Sequence, residues 1–156
     1  MHRVVAWVFK FIGISIMLMI LFDTGLVITD AFITNGRIQA QANLMQLELA
    51  KNNYLSEEAM DTFEGYYVDY DDGTHEGAGL QNVVGLSKVY TDITFNRKEL
   101  KEIKNYGDYH TLKIDATFTP WHYYFSGVVN GEGFKKIMGE SVIHYVFTVP
   151  CLRYIK

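Results

Sequence analysis

The sequence predicts an α+β fold in which one long N-terminal helix packs on a small antiparallel β-sheet. Three observations carry this. A nearly continuous apolar run fills residues 4–22. An apolar stripe at helical spacing follows at Ile38, Ala42, Met45 and Leu49. Later in the chain Leu112, Ile114, Ala116 and Phe118 alternate with Thr111, Lys113, Asp115 and Thr117, the period of a half-buried strand.

With 156 residues, the chain has room for one modest domain. An apolar fraction of 49% against 21% charged excludes a disordered tail, and 15% aromatics with only two prolines suits a β-rich core. A net charge of −4 without a Lys/Arg run argues against nucleic acid as a partner. The single cysteine, Cys151, excludes an internal disulfide and a multi-thiolate zinc site.

The first element is expected to enter a membrane. Residues 4–28 supply the roughly 20 apolar positions that a bilayer crossing needs, with only Lys10 and Asp23 charged among them. No small-residue cleavage site of the secretory type follows. His2, Arg3 and Lys10 lie at the start and Asp23 and Asp30 at the far end, so the positive-inside rule puts the N-terminus in the cytoplasm. Residues 1–30 are therefore read as a transmembrane or filament-core helix, and 31–156 as an extracytoplasmic α+β head.

Within the head, residues 31–53 lack proline and continue the helix as an amphipathic one, and Lys51, Asn52 and Asn53 form its polar end. Ser56, Glu57 and Glu58 read as the cap and first turn of another helix. Residues 65–79 are acidic and glycine-rich and read as a loop. The sheet is expected within 86–156: strands at 86–95, 112–119 and 142–149, and a short fourth at 152–155. Residues 97–109 form a charged connection, and 121–138 an aromatic, glycine-punctuated excursion with a short helix near 134–138.

Little catalytic chemistry is visible. Asp69, Asp71 and Asp72 beside Gly73 offer hard oxygen ligands of the kind calcium takes, although the EF-hand spacing is missing; a solvated loop tip accounts for the same residues. The histidines show no metal-ligand spacing, and no nucleophile elbow, phosphate loop or zinc-protease motif occurs. A structural protein is therefore expected, not an enzyme, with no cofactor and no small-molecule substrate. Trp121, Tyr123 and Tyr124 could bind a partner if exposed, or close the core if buried. Lys10 and Asp23 either reach opposite membrane faces or pair between neighbouring helices. The assembly residues are thus Lys10 and Asp23 in the apolar half and Ile38, Ala42, Met45 and Leu49 in the amphipathic half.

This layout resembles type IV pilins and pseudopilins. It is most similar to the TadE-like proteins of tight-adherence pilus systems, with strand 112–119 leading into Pro120, a loop holding Gly127 and Gly131, and closing strand 142–149. The resemblance implies a pilin-like subunit whose partners are the membrane and other copies of itself or related subunits. The chain departs from the pilin processing signal: Gly13 is followed by Ile14, Ser15, Ile16, Met17 and Leu18, with no glutamate at the fifth place. The alternative expectation is a bitopic membrane protein whose outer domain binds a ligand or partner.

Overall fold

The computed structural model describes residues 2–120 and 140–154. Helix α1 spans His2–Asn52 without interruption; its 51 residues extend about 76 Å at 1.5 Å per residue. It is followed by α2 (Glu57–Glu64), strands β1 (Tyr66–Asp69) and β2 (His75–Ala78), helix α3 (Gly79–Leu86), strand β3 (Tyr90–Phe95), the single turn α4 (Arg97–Leu100), and strands β4 (Tyr109–Phe118) and β5 (Ser141–Pro150). The α+β class and the long helix are as expected.

Two regimes divide α1. The most apolar stretch of its first half, with a mean hydropathy of 2.4, has none of its residues buried. From Val27 onward one stripe is covered, through Thr34, Ile38, Ala42, Met45 and Leu49. Those positions recur every three, four or seven residues, so they form a single line down the helix. Head contacts therefore begin slightly before residue 31.

The sheet that receives this stripe has the order β3-β4-β5, antiparallel throughout. On central β4 the side chains of His110, Leu112, Ile114 and Ala116 are buried, while Lys113 and Asp115 face solvent. Edge strand β5 turns Ile143, Tyr145, Phe147 and Val149 inward, in register with the buried residues of β4. Leu55, Met60, Leu80, Val83 and Leu100 complete one core between helix and sheet. Strand β3 begins at Tyr90, later than the expected residue 86, and its register shifts between Tyr90 and Asp92. That bulge lets both Tyr90 and Ile93 point inward, which strict alternation would forbid.

Two expectations are corrected. Residues 65–79 are not a loop: Tyr66–Asp69 and His75–Ala78 pair as a hairpin, and α3 begins at Gly79. Its base depends on a close approach of two positive-φ glycines. A Cβ on Gly65 (φ 69°) would lie 1.9 Å from the Ala78 carbonyl oxygen, and one on Gly79 (φ 62°) 2.5 Å from that of Phe63. Its tip is a turn in which Asp72 Oδ1 accepts from the Thr74 amide at 2.9 Å and hydroxyl at 2.6 Å. The second correction concerns the expected fourth strand at 152–155. Residues 151–154 are not a strand, because their amides bond elsewhere: Leu152 to the Ala50 carbonyl and Arg153 to the Asn53 side chain. The helix expected near 134–138 lies outside the described residues.

Candidate functional site

The apolar half of α1 is the most distinctive surface of the chain, and its chemistry follows from composition. Val4, Trp7, Phe9, Phe11, Ile14, Met17, Leu21 and Phe22 are all exposed, on every side of the helix. A helix that is apolar all round requires an apolar surrounding, whether lipid or other helices. It is long and apolar enough to cross a membrane.

Lys10 and Asp23 punctuate this half, about 20 Å apart at thirteen residues. Lys10 is exposed, Asp23 half-buried, and neither forms an ion pair with a described residue. They are also about 140° apart around the helix, so one chain cannot bring them together. Ile38, Ala42, Met45 and Leu49, by contrast, are fully buried against the head.

The amphipathic half carries a second apolar line that the sequence reading missed. Phe32 is 79% exposed, Ile33 49%, Leu44 52% and Leu47 67%, with Gly36 and Ala40 exposed among them. The head covers only one side of α1, and these residues occupy the other. The spacing of Ile33, Ala40, Leu44 and Leu47 is the sequence signal for this line, masked by the glutamines and asparagines beside it.

Three polar residues fasten α1 to the head, and Asn35 Oδ1 accepts from the Tyr145 hydroxyl of β5 at 2.8 Å. Asp30 Oδ2 accepts from the Ser87 hydroxyl (2.9 Å) and from the amides of Lys88 (2.8 Å) and Val89 (3.1 Å), anchoring the segment that leads into β3. At the far end Asn53 is buried with φ 61°, the left-handed conformation that asparagine tolerates best after glycine. Its Nδ2 donates to the carbonyls of Lys104 (3.1 Å) and Arg153 (2.6 Å), and its Oδ1 accepts from the Arg153 amide (3.0 Å). Its carbonyl accepts from the buried His110 Nε2 at 2.7 Å. The sequence offered Asp30 only as an orientation charge and Asn53 only as a helix end.

The hairpin holds the expected calcium ligands, of which Asp69 and Asp72 are otherwise engaged. Asp69 Oδ1 lies 3.0 Å from His75 Nδ1, and Asp72 caps the turn, its carboxyl held below the usual range by the Thr74 hydroxyl and amide. Among the described residues no group of three or more His, Cys, Asp or Glu side chains is placed to hold a metal ion, Asp69, Asp71 and Asp72 included. Beside them the Tyr66 and Tyr70 hydroxyls donate to the two oxygens of Glu76, at 2.9 and 3.0 Å. Cys151 is buried, and burial pushes its thiol up, away from a nucleophilic thiolate. Trp121, Tyr123 and Tyr124 lie outside the described residues.

No family model, curated protein or solved structure matches the chain.

Proposed function

We propose that the chain is a structural, pilin-like subunit of an envelope filament of the type IV or tight-adherence kind. The apolar half of α1 inserts in the cytoplasmic membrane with its N-terminus inside. On assembly it joins the filament core, while the head forms the shell. One observation carries the reading: a single unbroken helix is bare and apolar over its first half and packed on its own sheet over its second. A mere anchor needs no rigid continuation into the head. A subunit whose helix must bundle while its head stays fixed in orientation does need one. The subunit works by packing, with no reaction to catalyse.

Recovery of sheared surface material from producing cells tests this. Filaments in negative-stain micrographs, with this chain identified in them by mass spectrometry, support it. Full retention of the chain in the membrane fraction, with no filaments, contradicts it. That second outcome would favour a bitopic protein binding a partner through its head. For that alternative the exposed hairpin tyrosines Tyr66 and Tyr70, tied together through Glu76, form a pre-ordered aromatic contact surface.

A further inference from the structure

We propose that successive copies pack their α1 helices in parallel with a stagger of thirteen residues, setting Lys10 of one copy level with Asp23 of the next. The inference rests on the filament reading above and names its repeating contact, a second copy of this chain.

Charge decides between the possible registers. Two parallel helices at equal depth hold Lys10 level with Lys10 and Asp23 level with Asp23, so any charge pair they bring face to face is one of like charges in an apolar surrounding. A shift of thirteen residues, about 20 Å, brings opposite charges level instead. In the bilayer before assembly the two charges sit at different depths, and each reaches its own interface. Only withdrawal of one copy along the helix axis brings them together, so the pair distinguishes the assembled state from the membrane pool.

The uncovered apolar line on the back of α1 fits the same shift. With a thirteen-residue stagger, the neighbour's exposed Leu21, Ile28 and Phe32 come level with positions 34, 41 and 45 of this chain. They lie beside its exposed Ile33, Ala40 and Leu44. The neighbour's apolar half thus covers the apolar surface that the head leaves open. This also explains why leucine stands at positions 44 and 47, beyond the reach of a membrane that holds residues 4–28.

The contact does not close on itself. Lys10 and Asp23 are about 140° apart around α1, so a copy with both charges satisfied touches two different neighbours. A head-to-tail contact between different patches propagates into an open helical array.

Thiol cross-linking of the full chain in producing cells tests the stagger while keeping both charges. Leu21→Cys and Ile33→Cys sit on the two surfaces that the stagger brings together. The buried Cys151 is present in every sample, and the unsubstituted chain sets the background. A short bis-maleimide should give a ladder of multimers with the double variant and no dimers with either single variant. Lys10→Glu in the double-cysteine chain should lower the ladder about tenfold, and adding Asp23→Lys should restore most of it. Dimers from Leu21→Cys alone would mean level pairing and overturn the proposal, as would a ladder indifferent to Lys10→Glu. Filaments without a ladder would refute the stagger and leave the filament reading standing; absence of both would refute the two together.

Discussion

The Asp30 carboxylate accepts the Lys88 amide at 2.8 Å, joining α1 to the entry of β3 across 58 positions of sequence. The same oxygen takes the Val89 amide and the Ser87 hydroxyl. Asp30 therefore marks the level on α1 where the bare helix ends and the head begins. Fixing that level fixes how far the apolar half projects.

Replacing Asp30 tests this junction. Asp30→Ala leaves two amides and a hydroxyl without their acceptor and is expected to destabilise the head by about 2–3 kcal/mol, hydrogen bonds to a charged group being the stronger kind. Asp30→Asn keeps one acceptor oxygen and should cost less. Thermal unfolding of the full chain in detergent, followed by near-UV circular dichroism, reads both. Equal and negligible shifts would remove Asp30 from the junction.

At the other end, Asn53 supplies both a backbone conformation and a set of hydrogen bonds. Asn53→Ala loses the bonds to Lys104 and Arg153 and puts a methyl group in left-handed space, for an expected loss of about 3 kcal/mol. Asn53→Gly loses the same bonds but adopts φ 61° freely, and should be about 1 kcal/mol milder. Denaturant midpoints give the order. Alanine being the milder change would show that the conformation carries no cost here.

The two faces of the amphipathic half separate folding from assembly. Met45→Asp buries an unpaired charge and should destabilise the head by about 3–5 kcal/mol. Gln46→Asp, on a half-covered position, should be mild. Leu44→Asp, on the exposed back, should leave stability within about 0.5 kcal/mol and still reduce recovery of the chain in sheared material. A Leu44 variant that assembles normally would leave the back stripe without a partner.

The parts of the fold set by local pattern were legible in the sequence. The stripe at Ile38, Ala42, Met45 and Leu49, the Ser56 cap (whose hydroxyl accepts from the Ala59 amide at 3.2 Å) and the alternation along β4 all depend on near neighbours. What was missed depends on distant ones. The β1–β2 hairpin hides in an acidic, glycine-rich stretch because its base is set by Gly65 meeting Gly79, not by a run of strand formers. The three-residue step between Tyr90 and Ile93 breaks the period of two, and residues 86–89, strand-like in sequence, instead end α3 and bond to Asp30. The site divides in the same way. Lys10 and Asp23 stand out as charges in an apolar run, whereas Asp30, Asn53 and the back stripe take their meaning from where the head sits.

Cys151 offers a simple check on burial. Its thiol is enclosed and its pKa is raised by that burial, so the folded state disfavours the thiolate that aromatic disulfide reagents attack. The full chain at pH 7–8 should release no chromophore from such a reagent until denaturant is added, and then one equivalent. Immediate stoichiometric reaction would mean that the tail at 151–154 does not stay seated on the end of α1.

The central claim is that the bare half of α1 is covered by other copies of the same helix. A cryo-electron microscopy reconstruction of the sheared filaments tests it most directly. The account predicts a core of parallel α-helices holding residues 4–28, with the β3-β4-β5 heads outside and neighbouring helices offset by about 20 Å along the axis. A filament whose core is built of heads, with the apolar helices outside or missing, would contradict it.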